Sequence, residues 1–175
     1  MSSRTDPPQI TQRNSHPARL LRNESGNALV ELVVLVAILG VPLLLGTAEI
    51  GLMVYDSIEI SNAARVGTAY AMQSSTFASN TSGIVTAAQA DASDFGTRLA
   101  VTPLVYYACS NNITGTQYTG TNAQANATSA CAGGTNHPIQ FVQVTTSITI
   151  TPPIHCPGLP TSFPITSSSV AEVEQ

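Results

Sequence analysis

Lysine and tryptophan are absent from this 175-residue chain, and only 9% of its residues are charged. A typical soluble domain carries about 25% charged residues, so other groups keep this surface wet. From Leu99 to Ala171 there is no Asp, Glu, Lys or Arg, while 20 residues from Val101 to the end are Ser or Thr. Hydroxyls and amides thus stand in for charge, a pattern suited to a domain working outside the cytoplasm. Six arginines against ten acids give a net charge of -4. That cannot neutralise a run of phosphates, which argues against a nucleic-acid partner. The three cysteines and three histidines show neither C-x-x-C nor H-x-x-x-H spacing, so no metal is expected around His137, His155 and Cys156. A Cys/His nucleophile would lack a paired acid, and no glycine loop is built for phosphate. No catalytic residue or cofactor is read from the sequence, and the expectation is a protein that is not an enzyme.

What charge there is comes in blocks. Residues 1–26 hold four arginines against Asp6 and Glu24, and the remainder holds two arginines against eight acids. Between the blocks lies an apolar run of 17 uncharged residues from Leu32 to Ala48, with Gly40 and Pro42 inside it. At about 1.5 Å per residue this is near the lower limit for crossing a bilayer core of about 30 Å, and adding Ala28 to Glu31 gives a comfortable span. Arginines upstream and acids downstream orient it with the amino terminus in the cytoplasm and everything after about Glu49 outside. Three regions follow: a basic cytoplasmic leader (1–26), a transmembrane and extended helix (27–72), and an exported Ser/Thr-rich α+β domain (73–175).

Glu31 interrupts the apolar helix, and a carboxylate there costs about 2.5–3.5 kcal/mol even on a lenient scale. It is the fifth residue after Gly26. Gly26-Asn27-Ala-Leu-Val-Glu31, after a basic leader and before an apolar helix, resembles the processing site of type IV prepilins. There a membrane peptidase cuts after the glycine, and the new α-ammonium and the glutamate compensate one another away from water. The following stretch adds Val41-Pro42, then Glu49-Ile50-Gly51, then Ser61-Asn62-Ala63-Ala64-Arg65-Val66-Gly67. Together these resemble the TadE-like family of pilus-assembly proteins over roughly residues 22–71. The chain departs from the family at Leu32, where an aromatic is usual, and at Thr68-Ala69, which replace Ala-Arg.

The resemblance implies a minor pilin or pseudopilin of a tight-adherence (Flp, type IV-like) pilus. It would be held in the bacterial inner membrane, be a substrate of a prepilin peptidase, and take part in filament assembly. Implied partners are other pilin subunits, the inner-membrane assembly platform and the lipid bilayer. Arg65 reads either as a solvated helix charge or as a contact within the assembled complex. Two rivals stand beside this reading. One is a secreted protein cut by signal peptidase after Gly46-Thr47-Ala48; the other is a binding module or enzyme on an uncut anchor.

Downstream, helical spacing continues. One helix is read from about Ala28 to Met72, bent near Pro42, with Ile50, Met53, Val54, Ser57, Ile60, Ala64 and Ala71 on one stripe. Ser74 to Gly83 is a break. A second helix carries Val85, Ala88, Ala92, Phe95 and Leu99 on one face, with Asp94 and Arg98 paired on the other, and stops before Pro103. Strict alternation over Phe141 to Ile150 predicts a half-buried antiparallel strand, with Leu104 to Ala108 as its partner. Cys109 to His137 shows no periodicity. Cys109 and Cys131 stand near its ends and make a plausible disulfide, with Cys156 able to displace either or to link subunits.

Overall fold

The computed structural model describes residues 24–152 and 160–174, with side chains from residue 27 onward. Leader residues 1–23, His155 and Cys156 lie outside the described residues. Contacts divide the chain into two compact units, Met1–Leu43 and Leu44–Gln175. The division falls within the long helix rather than at its end, so the helix's second half belongs with the sheet.

In the first unit, α1 (Glu24–Leu35) is followed by a π-helical turn (Val36–Gly40), and α2 (Val41–Ala71) begins at the unit's end. The Val41 N–H donates to the Val36 carbonyl, five residues back. Pro42 explains the wide turn. A proline has no N–H to give, and its ring collides with the carbonyl four residues earlier. A π turn just before it lets that backbone bond elsewhere without ending the helix.

In the second unit, α2 packs on a four-stranded antiparallel sheet of order β2-β1-β3-β4. The strands are β1 (Ala100–Cys109), β2 (Tyr118–Thr119), β3 (Pro138–Ile150) and β4 (Phe163–Glu172). The alternation that marks β3 in the sequence is the alternation of its burial, with Val142, Val144, Thr146 and Ile148 all turned inward. Over this face lie α2 and α4 (Thr81–Asp91), preceded by the short α3 (Ser75–Ser79). One core group gathers Ile60, Ala63, Ala88, Ala92, Leu99 and Ile148; another gathers Ala71, Ala78, Ile84, Val142, Val144 and Val173. Two helix-to-sheet bonds fix the register. Thr146 Oγ1 donates to the Ile60 carbonyl at 2.8 Å, and the Glu174 N–H donates to the Met72 carbonyl at 3.0 Å.

Several expectations are corrected. The second helix ends at Asp91, and a 3-10 turn (Gly96–Arg98) leads into β1. Ala88, Ala92, Phe95 and Leu99 still reach the core, because the turn folds back along the face the helix had set. Arg98 Nη2 donates to the Asp94 backbone carbonyl at 3.1 Å rather than to its carboxylate. The first strand starts at Ala100 and runs through Pro103, which pairs with Val144. That is tolerated because β2 reaches only Tyr106 and Tyr107, so at Pro103 β1 is an edge where a missing N–H costs little.

The Cys109–His137 stretch holds β2 and α5 (Ala123–Ala130). Ala123, Ala127 and Cys131 are buried at spacings of four. Tyr106 and Ala108 are buried on the opposite parity to Val105, so α5 covers the sheet's other face at that end. β4 was absent from the sequence reading. Its inward positions are Phe163, Ile165, Ser167, Ser169 and Ala171, and two of these, the serines, are too small and polar to mark a strand by hydrophobicity.

Candidate assembly surface

The helical residues from Asn27 to Ala71 number 45, long and apolar enough to cross a membrane, and none of the most apolar stretch is buried. Within the first unit, every side chain from Asn27 to Leu39 is exposed, including Leu29, Leu32, Ile38 and Leu39 at 60–69%. A bare apolar helix of this kind is stable only among lipids or other apolar helices. Gly26 lies in the first helical turn; Asn27 and Glu31 are exposed one turn apart. Leu32, Pro42 and Ala48 are exposed as well.

In the second unit, α2 has two distinct faces. The buried one runs Glu49, Ile60, Ala63, Ala64, Gly67, Thr68 and Ala71, with Met53 and Asp56 half-buried between them. Only part of the expected stripe is buried, since Ile50, Val54 and Ser57 point to solvent. The exposed face carries Val54, Tyr55, Ile58 and Val66 at 54%, 59%, 56% and 37%. Apolar residues on both sides explain why periodicity misplaced the stripe.

The Asn62-Ala63-Ala64-Arg65-Val66-Gly67 motif is divided between these faces. Asn62 and Arg65 are exposed, while Ala63, Ala64 and Gly67 are buried. A Cβ on Gly67 would meet Val144 Cγ1 at 3.1 Å, Ala88 Cβ at 3.3 Å and Ile84 Cγ2 at 3.4 Å. The small residues therefore let α2 lie close to both β3 and α4, a packing role that sequence spacing did not reveal. Thr68 Oγ1 donates back to the Ala64 carbonyl at 2.7 Å and lies 3.4 Å from the Ser169 carbonyl of β4.

Charge is concentrated on the flank of this helix, beyond the apolar stretch. Loss of solvent raises the carboxyl pKa values of Asp56 and Glu59, and the nearby Asp94 adds to both. For Glu59, a hydrogen bond from the Asp94 backbone opposes the rise, while Asp56 and Asp91 reinforce it. One Glu59 oxygen is buried with no hydrogen-bond partner among the described residues. Among these residues no group of three or more His, Cys, Asp or Glu is placed to hold a metal. His137 is exposed, its Nδ1 3.0 Å from the Thr135 carbonyl.

At the far end of the sheet, Cys109 and Cys131 are joined, with sulfurs 2.00 Å apart and Cα atoms 5.3 Å apart. The bond ties the end of β1 to the end of α5.

The second unit is a small α+β domain, and the apolar helix is long enough to cross a membrane. Residues 26–68 match the family model of TadE-like protein. The match begins at Gly26 and stops at Thr68, inside α2, and includes no residue of the sheet. No curated protein and no solved structure gives a match.

Proposed function

We infer that this protein is a non-enzymatic, membrane-anchored minor pilin or pseudopilin that takes part in assembling a tight-adherence pilus. The observation that carries the reading is the coincidence of the TadE-like segment with a helix bare of cover along its apolar half. The bare half would lie in the inner membrane, amino terminus in the cytoplasm, and pack against other pilin subunits during assembly. The exposed Val54, Tyr55, Ile58 and Val66 extend an apolar strip for that packing beyond the bilayer. Glu31, exposed and one turn from Asn27, would compensate an α-ammonium created by a prepilin peptidase cutting after Gly26. The assembly platform would then engage the processed subunit.

The amino-terminal sequence of the mature protein tests this reading. A start at Asn27 is expected. A start at Glu49 would make it a secreted protein, and would turn a residue buried within α2 into a chain end. A start at Met1 or Ser2 would leave an uncut anchor. Glu31→Ala is expected to insert in the membrane normally and to impair assembly; normal filaments from that variant would remove the role given to Glu31.

A further inference from the structure

The geometry points to a binding site for a single neutral sugar ring in the cavity beside the Cys109–Cys131 disulfide. The cavity has a volume of about 250 Å³ and is lined by Asn111, Asn112, Thr116, Tyr118 and Asn136 together with the disulfide end of β1. This is a little below the 300–1,000 Å³ usual for drug-sized ligands, which suits one ring and not a chain of them.

Several contacts order its walls. The connection between β1 and β3 runs from Ser110 to His137 and carries β2 and α5. Here it is closed by a covalent bond and docked through α5. Its two ends are laced together, with the Ser110 N–H donating to the His137 carbonyl at 2.9 Å and the His137 N–H to Ser110 Oγ at 3.1 Å. Asn136 Oδ1 accepts from the Asn111 N–H at 3.2 Å and lies 3.1 Å from Ser110 Oγ, which fixes that amide against the cavity wall. Finally, a Cβ at Gly115 would collide with the Asn112 amide, so glycine there gives the amide its place.

The lining decides the ligand. No Asp, Glu, Lys or Arg occurs between Leu99 and Ala171, so an ionic ligand would find no counter-charge. An apolar ligand would bury amides without partners, which is unfavourable. Asn111 and Asn112 each offer side-chain donors and an acceptor, Asn136 offers the donors of its amide nitrogen, and each hydroxyl offers both, matching a ring of hydroxyls that need both. Tyr118, half-buried at the cavity, adds an aromatic surface for the ring's C–H face. This inference is independent of the pilus reading.

The test uses the full chain in lipid nanodiscs, free of glycoside detergents. Saturation-transfer NMR is run with glucose, galactose, mannose and N-acetylglucosamine, and with sialic acid as the charged control. At least one neutral sugar should receive saturation, with weaker transfer to sialic acid. Tyr118→Ala and Asn112→Ala should each weaken binding by about tenfold or more, one such factor being 1.4 kcal/mol. Asn111→Ala, at an exposed position, gives a third reading should either of those variants misfold. Retention of the disulfide by mass and of the fold by circular dichroism shows that the variants remain folded. No transfer to any neutral sugar, transfer unaffected by all the folded variants, or preference for the charged sugar would each overturn the proposal.

Discussion

Gly67 is where the packing of the second unit is most sharply testable. An alanine in a helix interior is favoured over glycine by about 1 kcal/mol, so Gly→Ala in an open helix stabilises. Gly51 is that open case, since a Cβ there meets nothing within 4 Å. At Gly67 the same Cβ would stand 3.1 Å from Val144 Cγ1, 3.3 Å from Ala88 Cβ and 3.4 Å from Ile84 Cγ2. All three neighbours lie on other elements and are fully buried core residues of zero exposure, so relief requires α2 to lift or α4 to shift. Overpacking of this kind costs about 1–3 kcal/mol. Subtracting the propensity gain, Gly67→Ala should destabilise by about 0–2 kcal/mol, while Gly51→Ala should stabilise by about 1 kcal/mol. The assay is thermal unfolding of the full chain in nanodiscs, followed by circular dichroism, where each kcal/mol moves the midpoint by about 2–8 °C. Gly67→Leu should fail to give the native signal at all. Equal stabilisation by Gly67→Ala and Gly51→Ala would refute the close approach of α2 to the sheet.

Two further tests address the charged flank and the disulfide. In the unfolded chain Asp56 and Glu59 titrate near their ordinary values of 3.8 and 4.5, and folding raises both. The stability these groups contribute is therefore present below about pH 4 and is lost as pH rises through their elevated folded values. Glu59→Gln should leave stability unchanged near pH 4, increase it at pH 7, and flatten the pH profile between; equal effects at both pH values would contradict the assignment. The Cys109–Cys131 bond closes a sequence separation of 22 residues. On loop-closure entropy its removal should cost about 3 kcal/mol, read as a lower unfolding midpoint for Cys109→Ser or after mild reduction. No change on reduction would show the loop to be held by α5 and its hydrogen bonds alone.

The parts legible in the sequence were those where one pattern had one cause. The apolar run through Leu32 to Ala48 is legible from composition alone, and β3 from strict alternation of β-branched residues across a sheet with one face buried. The TadE-like resemblance could also be read there, from Gly26, Glu31, Pro42 and the Asn-Ala-Ala-Arg motif. What each motif residue does was not. Ala63, Ala64 and Gly67 are small because β3 and α4 lie against them, and sequence carries the size of a residue without its neighbour.

Where two influences overlapped, the sequence was silent or misleading. The apolar residues of α2 face both inward and outward, so their periodicity could not choose a side. Pro103 looked like a helix stop because its edge position in the sheet is a property of strand order, which depends on residues 15 to 40 positions away. β4 exists because β3 offers it a backbone edge: hydrogen bonding along a ladder is blind to side chains, so Ser167, Ser168 and Ser169 serve as well as valines would. Local pattern thus determined the apolar helix and the central strand, while the burial of α2's small residues, the outer strand and the cavity beside the disulfide were decided only when distant segments met.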